Sequence, residues 1–468
     1  MILRHDAVRK DFLREIENKK IFCYGAGQVF KDFLQVYDLL DITAVVDINL
    51  SKQGINITQK GVPVVSLDTF LNLCDENSVL IITCFDYQQI EKELNEYDQL
   101  GNLPCYVYCM MQGLYDAKDD GLISDKYQIT EFKMQDYNAG QKAPADVAAI
   151  VAKAGYKTLT INRGTQRFGK RQTQSEWKRV ADSVAANGTL IIQLPLVDSS
   201  DGVNQLYELK ENKNVKIIAI VHDVDILRGE KQDYHNKQYQ ILKNLADVWV
   251  VHNEHMIDEL CKLGFERSRM VSLEIFDYLI DDYQGAKSGD GIIIAGNLDK
   301  IKAGYVYELN RVHDTRFNLF GPNYSSEICS EKLFYYGTFL PDDLINNLQG
   351  KYGLVWDGDS IETCSGGKGE YLRINNPHKL SLYLAVGIPV IIWEEAAEAE
   401  FVLNENVGIT VKSLYELPNK LATISDDEYE KMKYNAETVG KRLRGGEYMT
   451  NAIKKAERII QDMRDNKY

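Results

Sequence analysis

Short apolar runs alternate with amphipathic stretches of helical spacing along most of the chain. Two of these runs, 216–221 (KIIAIV) and 388–393 (IPVIIW), are continuous over the length of a strand. Such runs are typical of strands in a parallel sheet, because helices cover both faces of that sheet. The pattern therefore predicts an α/β protein built from repeated strand, loop and helix units.

One stretch of this pattern, 371–401, carries candidate chemistry as well as structure. Asn376 and Pro377 predict a helix start, since Asn is a frequent cap and Pro is tolerated at the first helical position. Lys379 then lies in the first turn, where the positive end of the helix dipole disfavours a cation. A lysine there is better explained if an anion also binds at that helix end; a solvated surface lysine is the alternative.

Bulk properties argue against several classes of protein. A chain of 468 residues predicts two or three domains, and the net charge of −15 argues against nucleic acid or an anionic membrane as the main partner. No apolar run reaches the roughly 18 residues of a membrane span, and the charged N-terminus lacks a signal-peptide core. The cysteines are scattered without a CxxC pair, which favours reduced thiols over a zinc site. We expect a cytoplasmic protein without a membrane span; peripheral membrane association stays open.

Residues 1–117 predict a small Rossmann-like domain. Gly25 and Gly27 follow the first strand and match the first two glycines of a dinucleotide fingerprint. Asp47 stands 20 residues beyond Gly27, where a ribose-binding acid is expected, but Phe30 replaces the third glycine. This partial fingerprint fits three roles: a nucleotide or dinucleotide site, a sugar-nucleotide site, or a structural or docking module.

The rest of the chain divides where its composition changes. A polar stretch predicts a linker at 118–145, and two further α/β domains are predicted at 146–284 and 285–468. A long helical region closes the last domain, and we expect it to cross back onto another domain. In the middle domain the predicted strand ends place several polar residues, among them His222 and Asp223, along the sheet edge where such folds bind ligands.

Six sequence words occur in a characteristic order: VHDVDILR, ADVWVVHNEHMIDEL, IIIAGNLDK, YGLVWDGD, NNPHKLSLYLAVGIPVII and ENVGITVKSLYEL. With them the chain, from about residue 158 to its end, resembles a family of bacterial glycosyltransferases. This family comprises β-1,6-galactofuranosyltransferases and related glucosyltransferases that extend N-acetylglucosamine on serine-rich adhesins. The resemblance implies a GT-B fold, in which two facing Rossmann-like domains bind a nucleotide-sugar in the cleft between them. The first domain lies outside the resemblance and is an addition to it.

The resemblance also implies roles for individual residues. Lys379 matches a phosphate-contacting lysine, and Lys300 stands where an arginine is common, which keeps the charge but loses a bidentate fork. Phe320 stands where relatives carry a tyrosine. The other donor-site positions are Asn297 in a glycine turn, Ala397 and Glu398 with backbone N–H groups facing the diphosphate, and Glu394 or Glu400 at the ribose diol. On the acceptor side, Gly164, Thr165 and Gly169 match a mobile loop.

The predicted chemistry is inverting and needs no metal. Lysine side chains and helix N-termini can stabilise a departing diphosphate in place of a metal ion. Asp357 and Asp359 have the spacing of a DxD metal motif, but they also fit a turn after a strand, which we favour. Inversion needs a base for the acceptor hydroxyl. Asp223 is the first candidate, with a capping role as its alternative; His222 is the second and Asp198 the third.

The leading prediction is transfer of a hexose, galactofuranose or glucose, from a UDP-sugar to a saccharide acceptor in surface polysaccharide or glycoprotein synthesis. We expect no cofactor besides this donor substrate, and a homo-oligomer, as in relatives. The second prediction is a non-catalytic sugar-nucleotide-binding subunit, against which Lys379 and Lys300 argue. The third is an NAD-dependent oxidoreductase or epimerase run by the first domain. It lacks a Tyr-x-x-x-Lys word, since Tyr87 is followed four residues later by Glu91.

Overall fold

Three parallel sheets of six strands each form the framework of the protein. The computed structural model describes residues 1–4, 9–36, 40–56, 61–84, 87–108, 125–132, 142–162, 170–196, 199–228, 233–281, 283, 285, 289–325 and 331–465. The continuous apolar runs form fully buried central strands, as the pattern predicted. The predicted α/β fold class with three Rossmann-like units is confirmed. Among the described residues, no helix is long and apolar enough to cross a membrane.

The first sheet contains the glycine turn of the N-terminal domain. Its strands are β1 (Ile2–Arg4), β2 (Lys20–Tyr24), β3 (Ile42–Val46), β4 (Val64–Val65), β5 (Ser78–Ile82) and β6 (Pro104–Val107), with helices α1 (Arg9–Glu15), α2 (Gln28–Val36), α3 (Leu67–Leu73) and α4 (Tyr87–Leu94). The strand order is β1-β6-β5-β2-β3-β4. The order reverses between β2 and β5, so a crevice is expected beyond their carboxyl ends.

The second sheet belongs to the predicted acceptor domain. Its strands are β7 (Lys126–Phe132), β8 (Lys157–Asn162), β9 (Thr189–Leu194), β10 (Lys216–Val221), β11 (Val248–Val251) and β12 (Met270–Ser272), with helices α5 (Lys142–Lys153), α6 (Lys170–Ser183), α7 (Ser199–Lys213), α8 (Asp233–Leu245) and α9 (Glu254–Lys262). The strand order is β12-β11-β10-β9-β7-β8.

Strand β7 corrects the predicted linker, because it lies within 118–145 and pairs with both β8 and β9. Its apolar side chains, Tyr127 and Ile129, are buried in the core of the second sheet. Gln128 between them is also buried, and its side-chain amide donates to the Ala148 carbonyl and to Thr158. A buried polar residue whose NH₂ group is hydrogen-bonded in this way gives a buried strand the sequence of a polar segment.

The third sheet belongs to the predicted donor domain. Its strands are β13 (Ile292–Ala295), β14 (Phe317–Phe320), β15 (Leu333–Tyr335), β16 (Tyr352–Val355), β17 (Val390–Trp393) and β18 (Gly408–Val411), with helices α10 (Pro341–Leu344), α11 (Gly366–Tyr371), α12 (His378–Ala385), α13 (Ala399–Asn404), α14 (Leu417–Thr423), α15 (Asp426–Gly445) and α16 (Glu447–Asp465). The strand order β15-β14-β13-β16-β17-β18 reverses between β13 and β16. This reversal is where a doubly wound sheet binds ligands.

Helix α16 joins the last two sheets into one packed unit. Gly446, at a φ of 72°, separates it from α15 and lets the chain reverse. The Asp277 carboxylate then accepts the Tyr448 and Met449 amides at the start of α16. Farther along, α16 packs on α5, β11 and β12 of the second sheet. Buried side chains from both halves therefore form one continuous hydrophobic cluster.

Candidate functional site

The second and third sheets meet beyond the carboxyl ends of their strands. His252 follows β11, and its ring Nδ1 accepts the Asn376 amide at 2.9 Å. Val224, just beyond β10, donates its amide to the Tyr371 hydroxyl at 3.0 Å. Tyr371 and Asn376 belong to the segment that leads from α11 into α12 of the third sheet. The predicted strand edge of the second sheet thus faces the helix that carries Lys379.

Lys379 lies at the reversal point of the third sheet. Its ammonium donates to the Trp356 carbonyl at 2.9 Å and to Asp357 Oδ1 at 2.8 Å, both just beyond β16. These contacts explain how the helix start tolerates a lysine, because the Asp357 carboxylate offsets the unfavourable dipole. An ammonium group has three N–H donors, so one remains for a ligand. With a fifth of its side chain exposed, Lys379 is accessible from the crevice.

The residue that caps the start of α12 is not the predicted one. The helix begins at His378, and Pro377 is the flanking residue without a side-chain capping bond. Asn376 is not the cap. Its side chain points to the other half of the molecule, where it contacts the His252 and Glu274 carbonyls.

Two other donor-site candidates follow β13. The Asn297 side-chain oxygen accepts the Asp299 amide at 3.0 Å and the Asn323 side-chain amide at 3.1 Å, so Asn297 shapes the turn. Lys300 is exposed, and its ammonium lies 5.9 Å from the centre of the Tyr307 ring. Lys300 is therefore free to move toward an anion in the crevice without breaking an ion pair to any described residue.

Asp223 and His222 differ sharply in accessibility. The Asp223 side chain is 41% exposed, with Arg228 at 3.4 Å from its carboxylate. His222 is partly buried; its Nε2 lies 2.6 Å from the Gln193 side-chain oxygen, and its ring stacks on Phe276. Burial lowers the pKa of His222 to about 4, so the imidazole is neutral near pH 7. Of the two, Asp223 has the more accessible side chain.

Three histidines surround Phe276 at the junction of the two halves, one of them buried and the other two partly buried. His222, His252 and His378 all contact its ring edge or face. Burial lowers the pKa of His252 and of His378 to about 3, and the nearby His222 adds to both shifts. The junction therefore consists of neutral imidazoles that pack and hydrogen-bond.

Two donor-site expectations need correction, those for Phe320 and Ala397, whereas the role of the Glu398 backbone N–H group stays a prediction. Phe320 is fully buried and stacks on Tyr336, which removes its side chain from the crevice. The Ala397 amide donates to the Leu372 carbonyl at 2.8 Å, so it does not face a diphosphate. Glu398 is buried beside Asn253, and burial raises the pKa of its carboxyl well above the usual range. Its side chain therefore belongs to the junction of the halves.

The remaining predicted positions divide into accessible and undescribed ones. Glu394 follows β17 and lies 3.7 Å from Lys412, while Glu400 is exposed on α13. Both carboxylates are accessible at the carboxyl edge of the third sheet. The acceptor-side residues Gly164, Thr165 and Gly169, and the third base candidate Asp198, lie outside the described residues.

The Asp357–Asp359 segment forms a turn after β16. Gly358 has a φ of 106°, a left-handed value that favours glycine, and Asp357 is bound to Lys379. Within the described ranges, no group of three or more His, Cys, Asp or Glu side chains is arranged to hold a metal ion.

In the first sheet, the chain's own groups occupy the glycine turn. Asp47 is buried, and its Oδ2 accepts the Ala26 amide at 2.9 Å and the Lys52 ammonium at 3.0 Å. Its Oδ1 accepts the Asn49 amide at 2.9 Å. Gly25, at a φ of 105°, has its carbonyl bound by the hydroxyl of a threonine beyond β5, whereas the space beside Gly27 is open. Asp47 thus organises the turn and is not presented to a ribose.

The residues that the sequence analysis missed are long-range partners: Gln193 on His222, Tyr371 on Val224, and Asn376 on His252. Asn376 is separated from His252 by 124 positions. The one signal in the sequence was an asparagine before a proline, and it favoured a cap.

Comparison with known families finds two matching models. The glucosyltransferase 3-like N-terminal domain matches residues 126–275, and the glucosyltransferase 3-like C-terminal domain matches residues 292–456. Together the two matches span the second and third sheets.

Two characterised relatives match the same part of the chain. The β-1,6-galactofuranosyltransferase WbbI of Escherichia coli (strain K12) is 33% identical over 254 residues, which cover 53% of this chain and 72% of the relative. Glucosyltransferase 3 of Streptococcus gordonii is 24% identical over 265 residues, covering 56% and 77%.

Solved structures show more distant likeness. A glycosyltransferase from Rickettsia africae aligns with a TM-score of 0.48 at 12% identity and covers 72% of this chain and 99% of its own. A sucrose-phosphate synthase from Thermosynechococcus elongatus aligns with a TM-score of 0.46 at 11% identity, covering 72% and 100%.

Proposed function

The chain belongs to the glucosyltransferase 3-like family of hexosyltransferases, and from this premise we propose that it transfers galactofuranose or glucose from a UDP-sugar to a saccharide acceptor. The observation that carries the proposal is Lys379. It stands at the reversal point of the third sheet, with one ammonium proton unused by any described residue and a fifth of its side chain exposed. A cation in that crevice suits the diphosphate of a nucleotide-sugar.

In this proposal, Lys379 and Lys300 assist the departure of UDP. Breaking the bond between the sugar and the diphosphate places negative charge on the leaving oxygen, and positioned cations stabilise that charge. Lys379 is held in place by the Trp356 carbonyl and Asp357, whereas Lys300 is exposed and mobile enough to close over the ligand. The two lysines supply the charge that a metal ion provides in other transferases, and no cofactor is proposed. Glu394 and Glu400 are the candidates for the ribose diol.

Asp223 is the proposed base of an inverting reaction. Its carboxylate takes the proton of the acceptor hydroxyl as that oxygen attacks the anomeric carbon from the face opposite UDP. Its exposure supports this role, and the partly buried, neutral His222 is better suited to holding the strand end in place. Arg228, at 3.4 Å, helps to orient the Asp223 carboxylate.

The proposed acceptor is a saccharide of a surface polysaccharide or a glycoprotein. The protein itself is proposed to be a cytoplasmic homo-oligomer. The names of both relatives support hexosyl transfer, and they leave galactofuranose and glucose as the two donor candidates. A screen of UDP-galactofuranose and UDP-glucose against p-nitrophenyl hexosides would identify the pair.

Two measurements test the proposed function. Calorimetric titration with UDP should give micromolar binding, with NAD as the comparison; binding of NAD alone would contradict the proposal. A UDP-release assay then separates an enzyme from a non-catalytic binder. Asp223→Asn should lower kcat by about a hundredfold or more, since it removes a general base, and should leave UDP affinity unchanged. The matched control is Asp299→Asn, in the donor half; equal losses in both variants would contradict the role of Asp223.

A further inference from the structure

Asn376 is the residue through which the two halves of the molecule are most closely joined. It is buried, and all its hydrogen-bonding partners in the structure belong to the acceptor half. Its amide donates to His252 Nδ1 at 2.9 Å, and its side-chain nitrogen donates to the His252 carbonyl at 2.8 Å and the Glu274 carbonyl at 3.0 Å. Its side-chain oxygen accepts from the Asn253 side chain at 2.6 Å.

This set of bonds requires asparagine. Two donors of one side-chain NH₂ group meet two backbone carbonyls, and the oxygen of the same amide meets a third group. Aspartate has the same shape, but it would turn a carboxylate oxygen toward both carbonyls. Asn253 is itself fixed, because its side-chain oxygen caps α9 through the Met256 amide. The bonds therefore fix both the position and the orientation of Asn376.

The position of Asn376 connects the two proposed reaction groups. On the donor side it comes three residues before Lys379 and two residues before the start of α12. On the acceptor side His252 packs with His222 around Phe276, and His222 directly precedes Asp223. A shift at Asn376 would change the distance between the departing diphosphate and the base without touching either.

We propose that Asn376 is a positioning residue that sets Lys379 and Asp223 at their working separation, so that sugar transfer depends on it more than donor binding does. The inference rests on the proposed function. Donor binding needs only the third sheet, whereas transfer needs both halves in register. Misplacement of reacting groups by about 1 Å is enough to lower a rate a hundredfold.

The test compares Asn376→Asp with Asn375→Ala. Asn375 is the neighbouring residue, and its buried side-chain oxygen has no hydrogen-bond partner among the described residues, so it is a matched control. Asn376→Asp should lower kcat for transfer to a p-nitrophenyl hexoside about a hundredfold, with UDP affinity by calorimetry and the KM for the UDP-sugar within about threefold of wild type. Asn375→Ala should retain kcat within about threefold.

Two results would overturn the inference. One is unchanged transfer in Asn376→Asp. The other is a parallel loss of UDP affinity and transfer together with a lower unfolding temperature, which would indicate a purely structural role. If Asn376→Asp does not fold, Asn376→Ser, which keeps one donor, is measured in the same way.

Hydrogen exchange separates this inference from the proposed function. In Asn376→Asp, amides of 378–385 and of 252–256 should exchange faster together, and the same amides in Asn375→Ala should match wild type. Unchanged exchange in both segments would contradict the role of Asn376 even if the wild-type protein binds no UDP. A wild-type protein that binds no UDP but shows the coupled exchange would contradict the proposed function alone.

Discussion

The first and third sheets each carry a glycine turn after the strand where the order reverses, yet the charged group at the reversal point differs: a carboxylate in the first sheet and an ammonium in the third. In the first sheet the buried Asp47 carboxylate accepts the turn amide of Ala26, and Lys52 pairs with the same oxygen. In the third sheet the group facing the reversal point is the ammonium of Lys379, held by Asp357 from the neighbouring strand end.

The difference shows that a glycine turn alone does not make a phosphate site. Both turns have a backbone conformation that can favour an anion. In the first turn, however, a carboxylate already accepts the backbone amide and would repel a phosphate. In the third sheet the Asp357 carboxylate pairs with Lys379, whose ammonium keeps one N–H donor for a ligand. The N-terminal domain therefore fits the structural or docking role better than a dinucleotide site.

Loss of Lys379 should give the largest change in UDP affinity. If it does not, the proposed difference between the two crevices is wrong. Lys379→Ala should weaken UDP binding about a hundredfold, because it removes a charge-assisted hydrogen bond to the diphosphate and leaves Asp357 facing the ligand. Calorimetry measures the change. Lys433→Ala, an exposed lysine on α15, is the control and should bind UDP as wild type does. Equal affinity in Lys379→Ala and wild type would remove the phosphate role.

Lowering the pH should destabilise the junction of the two halves but not the first sheet. The pKa values of His222, His252 and His378 lie at about 3 to 4, below the ordinary 6.5, so between pH 6.5 and 4 the unfolded chain binds protons that the folded chain does not. Stability is therefore lost as pH falls. Burial raises the pKa of Asp277 to about 7 and of Glu398 well above its usual range, and these two groups act in the opposite direction.

The three histidines outnumber the two carboxyl groups, so we expect the free energy of unfolding to fall as the pH drops below 6.5. Denaturant unfolding between pH 7 and 5.5 measures it. His378→Asn should flatten this slope, while the exposed His313→Asn should leave it unchanged. In the first sheet, burial opposes the amide bonds of Asn49 and Ala26 and the Lys52 contact, which together lower the pKa of Asp47. Its contribution is lost only below the ordinary value of 3.8, so the protection of first-sheet amides against hydrogen exchange, relative to the unfolded chain at the same pH, should stay constant to pH 5.

How much of this comparison could be predicted from the sequence depends on how far apart in the chain the contacting residues are. The apolar runs of β10 and β17 identified central strands because every residue in them is buried. The polar strand β7 was missed, since the NH₂ group of its buried Gln128 is hydrogen-bonded to residues 20 and 30 positions away. Local patterns predict elements well, and they fail where a distant partner changes the meaning of a polar residue.

The candidate site follows the same rule. Lys379 could be predicted because its conflict with the helix dipole is local, whereas its contact with Asp357 spans 22 positions. Phe320 was misassigned because a residue at a strand end faces either the crevice or the core, and only packing on Tyr336 decides which. Domain boundaries, the base and the undescribed acceptor loop stay predictions.

Asp47→Asn tests the other half of the comparison. The substitution keeps an oxygen for the Ala26 amide but removes the charge that holds Lys52, so the first domain should lose about 1 kcal/mol of stability. Denaturant unfolding, monitored by hydrogen exchange of the amides in the first sheet, measures this loss. UDP affinity should not change, and Asp41→Asn, an exposed neighbour before β3, should affect neither. A fall in UDP affinity would mean that the first domain contributes to the donor site.

The smallest effect is expected from restoring an arginine at Lys300. The resemblance places an arginine there, and its planar fork can bind two diphosphate oxygens where a lysine binds as a point charge. Lys300→Arg should therefore strengthen UDP binding about threefold by calorimetry, a gain smaller than one hydrogen bond because the side chain is exposed and must be ordered. Lys302→Arg, two positions away and also exposed, is the matched control. Equal gains in both variants would indicate general attraction to an anion, whereas a gain at Lys300 alone would place that side chain on the diphosphate and extend the positive crevice from β16 to β13.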